Sequence, residues 1–187
     1  KVEFSNLNRQ ILFNTNDVGK FKVIQAKKFL QKVNKKAKIK AYNGKIIKKN
    51  AQKIIHRYDI ICDCSDNFNT RYLLNDFCLK NKKILISAAI SKFEAHIFNF
   101  NFSKNIPCYR CFMPEIPELE NKCDAEGILP TVAGIAGTLQ ANEVVKSILN
   151  KKNELIGKMI VFNTYNLNFR KIKLTKNSNC IRDCKKR

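Results

Sequence analysis

Four cysteines of this chain are arranged in two close pairs. Cys108 and Cys111 form a C-x-x-C pair, and Cys180 and Cys184 form a C-x-x-x-C pair. Thiolates separated by about 2–4 residues can bind one Zn²⁺ ion, and two such pairs complete a tetrahedral site that leaves no position for a substrate. We therefore predict a structural zinc site that joins residues 106–123 to residues 175–187. Disulfide bonds and unligated thiols are the alternatives that spacing alone leaves open.

Two cations lie close to the predicted start of the first helix. Arg9 belongs to the segment SNLNRQ, and Lys22 follows the segment DVGKF. The N-terminal amides of a helix and its dipole attract anions, so an Arg and a Lys at this place indicate a phosphate-binding site. The alternative, which spacing alone favours, is a solvated loop with two surface cations.

Two aspartates follow a short apolar run. Asp63 and Asp66 lie where the run of residues 58–62 ends and a predicted helix begins. Ligands of open parallel sheets collect at the carboxyl ends of strands, so Asp66 is well placed to hold Mg²⁺ or a ribose. Capping of the following helix is an equally favoured role for Asp66, and the two roles are compatible. Asp63 is the less favoured ligand because it is closer to the strand interior.

The other cysteines differ in their surroundings. Cys123 lies in the polar segment NKCDAEG, where helix amides or Lys122 can lower the pKa of its thiol, so it is either a reactive thiol or an inert one. Cys62, Cys64 and Cys78 lie in apolar segments and are predicted to be small buried side chains. The two histidines stand apart from these cysteines, and the sequence shows no Cys–His catalytic pair.

The spacing of apolar residues predicts alternating helices and strands in the first half of the chain. Continuous apolar runs favour parallel strands that are buried on both faces. The order of the elements is that of an α/β sheet with helices on its faces. The predicted elements are a helix over residues 19–33, a strand over 38–42, a helix over 50–56, a strand over 58–62, a helix over 67–80 and a strand over 83–89.

The second half of the chain has a different pattern. A strand that begins at Phe93 is followed by a loop over residues 106–121 and by a long helix, rich in small residues, over residues 128–150. Two further strands are predicted over residues 158–165 and 168–174. We expect the strands of this C-terminal part to be antiparallel and the zinc site to hold them in place.

The composition fits one globular domain. Of the 187 residues 44% are hydrophobic, which is enough for a core, and no apolar run approaches the about 20 residues of a membrane-spanning helix. The net charge is +21, but the lysines are spread along the chain, so solvated surface lysines are favoured over a nucleic-acid patch. The chain starts with Lys1 and shows no secretory signal, from which we expect a cytoplasmic protein and a piece of a longer polypeptide.

Several segments together resemble the ThiF/MoeB/HesA family, the bacterial relatives of ubiquitin-activating enzymes. They cover nearly the whole chain and follow the order VEFSNLNRQILF, DVGKFK, DCSDNFNTRYLLND, PCYRC, CDAEGILP, GIAGTLQANEVVK and the terminal cysteine pair. The resemblance implies a Rossmann-like, mostly parallel sheet with helices on both faces. It implies ATP- and Mg²⁺-dependent adenylation of the C-terminal Gly-Gly carboxylate of a ubiquitin-fold sulfur-carrier protein, in thiamine or molybdopterin biosynthesis. A homodimer and a sulfurtransferase partner are also implied.

The resemblance assigns roles to individual residues. The positions that match the family's nucleotide site are Asn6, Arg9, Gln10, Lys22 and Asp66. Among them, Lys22 matches the phosphate-binding lysine, and Asp66 matches the acidic residue near ATP and Mg²⁺. The two cysteine pairs match the zinc ligands. Cys123 matches a cysteine that some members use for acyl-disulfide or persulfide chemistry.

Two features depart from the family. The chain begins after the family's first strand, Gly-rich nucleotide loop and ribose-binding acidic residue, and it contains no G-x-G-x-x-G. We therefore expect residues 1–187 to be a single adenylating domain that lacks this loop and binds ATP poorly in isolation. The C-x-x-x-C spacing is the second departure. A non-catalytic carrier-binding scaffold is the main alternative, and a zinc-dependent nucleic-acid binder is a third.

Overall fold

The computed structural model describes residues 1–116 and 127–180. The chain divides into two compact units, Lys1–Lys45 and Ile46–Arg187. The first unit contains 3-10 turns at Phe4–Asn6 and Thr15–Asp17 and a helix, α1, over Lys22–Val33. None of the helices in the described ranges combines the length and the apolar character that crossing a membrane requires.

Helix α1 begins three residues later than the apolar spacing predicts. Phe21, which precedes the helix, has an extended backbone (φ −70°, ψ 122°), and Gly19 has φ +82°, a left-handed value that side chains with a Cβ rarely adopt. Val2 donates its amide to the carbonyl of Lys20 at 2.8 Å and accepts a hydrogen bond from the amide of Gly19 at 2.9 Å. These contacts hold the backbone of residues 19–20 in a non-helical conformation against Val2, and the helix begins only at Lys22.

The predicted strand over residues 38–42 is wrong. Residues 37–43 have no regular secondary structure, and they are not part of the sheet. Alternating apolar residues make a segment suitable for a strand, but a strand forms only where a neighbouring strand pairs with its backbone groups. No such partner pairs with this segment in the described part of the chain.

The second unit is built on a five-stranded sheet with the order β1-β2-β3-β4-β5. Its strands are β1 Ile60–Asp63, β2 Ile84–Ser91, β3 Glu94–Asn101, β4 Lys158–Asn163 and β5 Asn168–Lys173. Its helices in the described ranges are α2 Lys48–Ile55, α3 Phe68–Lys80, α4 Tyr109–Phe112 and α5 Pro130–Ile148. The helices and strands predicted for this part of the chain are therefore present, with ends that differ by a few residues.

The sheet is mixed, and the expectation of a mostly parallel sheet is wrong. Strands β1 and β2 are parallel, whereas β2–β3, β3–β4 and β4–β5 are antiparallel. Only Lys92 and Phe93 connect β2 to β3, and residues 164–167 connect β4 to β5. Connections this short form hairpins, because a parallel crossover needs a dozen or more residues. The α/β class and the antiparallel C-terminal strands are as predicted.

Helices cover both faces of the sheet. Successive side chains of a strand point to opposite faces. In β3, Phe98 and Phe100 belong to the core cluster that includes residues of α2, α3 and α4, whereas Ala95 and Ile97 belong to the cluster that includes residues of α5. The apolar character of the central strands therefore reflects burial on both faces, which does not require parallel neighbours.

The unpaired cysteines outside the two pairs are not all buried. Cys78 of α3 is buried, and this burial raises the pKa of its thiol to about 12. Cys62 and Cys64 are exposed, so the prediction that they are buried is wrong. Among the described residues β1 pairs with β2 alone, and a strand at the edge of a sheet is less covered than a central strand.

Candidate active site

A buried carboxylate holds the loop that follows β1. Asp63, the last residue of β1, is 1% exposed. Its Oδ1 accepts hydrogen bonds from the amide (2.9 Å) and the hydroxyl (2.6 Å) of Ser65, and its Oδ2 accepts one from the hydroxyl of Ser87 on β2 (2.7 Å). Both oxygens are thus occupied by groups of the protein itself, which gives Asp63 a structural role in the loop.

Arg71 of α3 joins the same loop to the sheet. It is 5% exposed, and its Nη2 donates to the carbonyl of Ser65 at 2.7 Å. Its Nη1 donates to the hydroxyl of Ser87 (3.2 Å) and to the carbonyl of Ala88 (3.3 Å), and its Nε lies 3.7 Å from Asp63 Oδ2. The planar, multiply donating guanidinium suits such a convergence of acceptors and also offsets the buried charge of Asp63.

Gln140 of α5 bridges the last residue of β1 and Ile86 of β2. Its Nε2 donates to the carbonyl of Asp63 at 2.9 Å and to the carbonyl of Ile86 at 2.8 Å. Its Oε1 accepts a hydrogen bond from the thiol of Cys64 at 3.2 Å. Since Gln140 is itself buried, it supplies these two backbone carbonyls with a donor inside the protein.

Asp66 is the exposed carboxylate of this loop. Its Oδ1 accepts a hydrogen bond from Nδ2 of Asn67 at 3.3 Å. The residue that caps α3 is Asn67, whose Oδ1 accepts from the amide of Thr70 at 2.9 Å, so the alternative in which Asp66 is the N-cap is wrong. An exposed carboxylate at the carboxyl end of a strand fits a hard cation such as Mg²⁺.

In the first unit, two buried amide oxygens lack partners. Neither Asn6 Oδ1 nor Gln10 Oε1 has a hydrogen-bond partner within residues 1–116 and 127–180. Buried polar atoms are nearly always paired in folded proteins, so these two oxygens fit donor groups of a ligand. Arg9 lies between them in sequence, and its Nη1 donates to the carbonyl of Ser5 (3.1 Å) and to Oδ1 of Asn8 (3.0 Å).

The cations and the carboxylate of the predicted nucleotide site belong to different units. Arg9 and Lys22 belong to Lys1–Lys45, and Asp66 belongs to Ile46–Arg187. Lys22 is the first residue of α1, a helix of 12 residues. The amides of a first helical turn lack intrahelical partners, and they add to the charge of a lysine there as an anion-binding feature.

Three of the four predicted zinc ligands lie together. The Sγ atoms of Cys108, Cys111 and Cys180 are within 4.8 Å of one another, with 4.0 Å between Cys108 and Cys111 and 3.7 Å between Cys108 and Cys180. Tetrahedral Zn²⁺ with bonds of ~2.3 Å places its sulfur ligands ~3.8 Å apart, so this cluster fits the ion. The fourth predicted ligand, Cys184, and the predicted reactive Cys123 lie outside the described residues.

Helix α3 anchors the cysteine-bearing segment through polar contacts. Oδ1 of Asn75 accepts the amide of Tyr109 at 2.8 Å, and the carboxylate of Asp76 accepts from Nε (2.8 Å) and Nη2 (3.0 Å) of Arg110. The hydrogen bonds to Asp76 raise the pKa of the Arg110 guanidinium. That guanidinium also lies 4.2 Å from the ring centroid of Tyr72. The cluster is therefore fixed to the helix that begins at the Asp66 loop.

The prediction from sequence does not include three residues that the structure brings to this site: Arg71, Ser87 and Gln140. Gln140 is 77 residues from Asp63 in the chain, and Ser87 is 24 residues from it, so no local spacing relates them. The one local signal is Arg71 itself, a cation between apolar positions of a helix that packs on the sheet. Such a residue indicates a buried acidic partner.

Comparison with known proteins identifies the family. The sequence pattern of the ThiF family matches residues 1–182, almost the full length. The chain belongs to the ThiF family. It is 37% identical over 184 residues to the adenylyltransferase and sulfurtransferase MOCS3 of Culex quinquefasciatus, covering 97% of this chain and 42% of that protein. It is 42% identical over 176 residues to the probable molybdopterin-synthase adenylyltransferase of Pyropia yezoensis, covering 92% of this chain and 46% of that protein. This ThiF-family chain thus spans less than half the length of these curated relatives.

Solved structures of MccB from E. coli share the fold of this ThiF-family chain. The crystal structure of MccB with ATP matches with a TM-score of 0.79 and 23% identity, over 97% of this chain and 56% of MccB. The structure of MccB in complex with N-formylated MccA matches with a TM-score of 0.80 and 22% identity, over 97% of this chain and 57% of MccB. The mixed α/β sheet is therefore a fold that solved proteins also adopt.

Proposed function

We propose that the protein is an adenylyltransferase that uses ATP to activate the C-terminal Gly-Gly carboxylate of a ubiquitin-fold sulfur-carrier protein. The observation that supports this most strongly is the similarity of nearly the whole chain to relatives that are named adenylyltransferases. Their names also favour molybdopterin over thiamine biosynthesis as the pathway. The name of the Culex relative adds support for a sulfurtransferase as partner or as a further domain.

The proposed reaction brings two anions together. A carboxylate is ionised at neutral pH, so it needs no general base before it attacks the α-phosphorus of ATP. Positive charge must instead offset the repulsion between the carboxylate and the triphosphate and stabilise the charge that develops during transfer. We assign this role to Arg9 and Lys22, the two cations that match the nucleotide site of the family.

The remaining residues of the proposed site bind and orient the nucleotide. The unpaired oxygens of Asn6 and Gln10 are acceptors for amino or hydroxyl groups of ATP. Asp66 holds Mg²⁺ through its exposed carboxylate. When bound, Mg²⁺ supplies the positive charge that makes pyrophosphate a good leaving group.

The cysteines of the proposed enzyme have two different roles. Cys108, Cys111 and Cys180, with Cys184 as the fourth ligand, hold a structural zinc ion; the distances among the first three support this assignment. Cys123 is proposed for the acyl-disulfide or persulfide step that some family members carry out.

A homodimer completes the proposal. Its support is the exposure of apolar side chains at the C-terminal end of α5, where Val145 and Ile148, three residues apart on one face, are 51% and 65% exposed. Neighbouring apolar side chains on one helix are typical of surfaces that a partner covers.

The test is carrier-dependent exchange of labelled pyrophosphate into ATP by the intact protein. We expect exchange with the carrier of molybdopterin synthesis and none with the same carrier after removal of its terminal Gly-Gly. The carrier of thiamine synthesis, assayed in parallel, identifies the pathway. An intact protein that binds a carrier but exchanges no pyrophosphate with either would contradict the proposal and favour a non-catalytic scaffold.

A further inference from the structure

We propose that Arg71 is a positioning residue that fixes the loop of residues 64–66 in the conformation that presents Asp66 to the metal–nucleotide complex. The inference rests on the proposed function and names a residue that the family resemblance left without a role. Arg71 does not reach the ligand itself in this proposal; it acts through the backbone of Ser65. Its evidence is the arrangement of hydrogen bonds around Asp66.

The residue before Asp66 is held on several sides. The carbonyl of Ser65 accepts from Nη2 of Arg71 at 2.7 Å, and the amide and hydroxyl of Ser65 donate to Asp63 Oδ1 at 2.9 and 2.6 Å. Ser65 therefore has its carbonyl, amide and hydroxyl engaged at once. Of these partners, Arg71 is the one that comes from outside the loop and β1.

The residue after Asp66 is also held. Asn67 is the N-cap of α3, and its Oδ1 accepts the amide of Thr70 at 2.9 Å. Asp66 thus lies between two anchored neighbours while its own carboxylate is exposed, with a hydrogen bond of 3.3 Å from Asn67. The position of the carboxylate is therefore set by the backbone on each side of it, and on the β1 side this includes Arg71.

An arginine is required at this place because its donors reach the loop after β1 and strand β2 at the same time. Besides Ser65, the guanidinium donates to the hydroxyl of Ser87 and the carbonyl of Ala88 on β2, at 3.2 and 3.3 Å. A lysine carries the same charge and can remain beside Asp63, but it lacks the planar fork. Substitution of Arg71 by Lys consequently separates the loss of geometry from the loss of charge.

The test measures binding of Mn²⁺, a paramagnetic substitute for Mg²⁺, to the intact protein with a non-hydrolysable ATP analogue, by electron paramagnetic resonance. The variants are Arg71→Lys, Asp66→Asn and the double variant, with Arg57→Lys as the matched control because Arg57 is exposed in the turn after α2. Partners that orient a metal ligand typically contribute ~10–100-fold to metal affinity, and we expect a loss of this size for Arg71→Lys. We expect no change for Arg57→Lys. Circular dichroism and thermal unfolding check that each variant is folded.

The double variant separates positioning from a general structural effect. If Arg71 acts through Asp66, the Arg71→Lys change has no further effect on Mn²⁺ affinity once Asp66 is replaced by Asn. Independent, multiplying losses would overturn the proposal, and so would wild-type Mn²⁺ affinity in folded Arg71→Lys. If Arg71→Lys does not fold, Arg71→Gln takes its place: it likewise lacks the guanidinium fork that holds the carbonyl of Ser65, and unchanged affinity in that folded variant would also overturn the proposal.

The Mn²⁺-binding test of Arg71 and the pyrophosphate-exchange test of the proposed function can give different results. Mn²⁺–nucleotide binding that depends on Arg71 and Asp66, in a protein without pyrophosphate exchange, would support the positioning role and reject adenylation. Pyrophosphate exchange in the wild-type protein, together with normal Mn²⁺ affinity in Arg71→Lys, would support adenylation and reject the positioning role of Arg71.

Discussion

The guanidinium of Arg71 lies against the ring of Tyr109, with Cζ 5.7 Å from the ring centroid. Tyr109 stands between the cysteines of the C-x-x-C pair, and Arg71 holds the carbonyl of Ser65 in the loop that carries Asp66. Burial raises the pKa of the Tyr109 hydroxyl to about 12, so the ring is neutral at physiological pH and the contact is of the cation–π type. The segment that carries the C-x-x-C pair and the loop that carries Asp66 are thus linked through the side chain of Arg71 as well as by α3.

The cysteine cluster should be the site of one zinc ion per chain. We expect the double substitution Cys111→Ser and Cys180→Ser in the intact protein to remove bound zinc and to lower Tm by several degrees, because thiolate ligands stabilise the fold through the metal. Elemental analysis and calorimetry check this. Cys62→Ser, at an exposed cysteine of β1, is the control and should retain zinc. Full zinc content in the double variant would contradict the assignment.

The ion pair between Arg110 and Asp76 should contribute measurably to stability. It has two hydrogen bonds, of 2.8 and 3.0 Å, and its side chains are only 16% and 17% exposed. We expect Arg110→Met to lower the free energy of unfolding in urea by about 1–3 kcal/mol, as for hydrogen bonds to charged groups. Lys152→Met, which breaks an exposed pair with Glu154, should have no measurable effect. Equal effects of the two substitutions would refute the anchoring role.

Gln140 should matter for stability although it is far in sequence from its partners. Gln140→Leu removes the side-chain donor to the carbonyls of Asp63 and Ile86, and each lost hydrogen bond costs about 0.5–1.5 kcal/mol. We therefore expect a loss of unfolding free energy in this range or above it in urea titrations. Gln52→Leu, at an exposed position of α2, is the matched control and should be near neutral. A neutral Gln140→Leu variant would show that water replaces the amide.

The structure also shows which features a single sequence can predict. Apolar spacing predicts α3 and α5 well because each helix has one side in a core cluster. Apolar spacing does not show whether neighbouring strands are parallel or antiparallel. Strand β3 is apolar because both of its faces are buried, and this is equally true of a buried strand in a parallel sheet. The short connection at Lys92 and Phe93 is the feature that determines the direction of β3.

Some residues of the candidate site can be predicted from the sequence, and others cannot. Asp66 is predictable because a polar residue after an apolar run marks the end of a strand, and the cysteine pairs are predictable from their spacing. Arg71, Ser87 and Gln140 are not, since their contacts with the β1 loop arise only when α3, β2 and α5 pack together. Long-range polar networks of this kind leave no periodic pattern in the sequence.

Arg9 and Lys22 should be essential for the proposed reaction. We expect Arg9→Ala and Lys22→Ala in the intact protein each to lower carrier-dependent ATP–pyrophosphate exchange by about 100-fold or more, the usual loss when a transition-state charge partner is removed. Lys28→Ala, at an exposed position of the same helix α1, should retain exchange. Exchange at the wild-type rate in either of the first two variants would reject the role assigned to that residue.

The fate of the α-phosphate gives the most direct test of adenylation. The intact protein is incubated with its carrier and with ATP labelled either at the α- or at the γ-phosphate, and the carrier is then separated under denaturing, mildly acidic conditions. We expect the α-label on the carrier, no γ-label there, and no α-label on a carrier that lacks its terminal Gly-Gly. Transfer of the γ-label, or a carrier that acquires neither label while the protein is folded and binds it, would contradict adenylation.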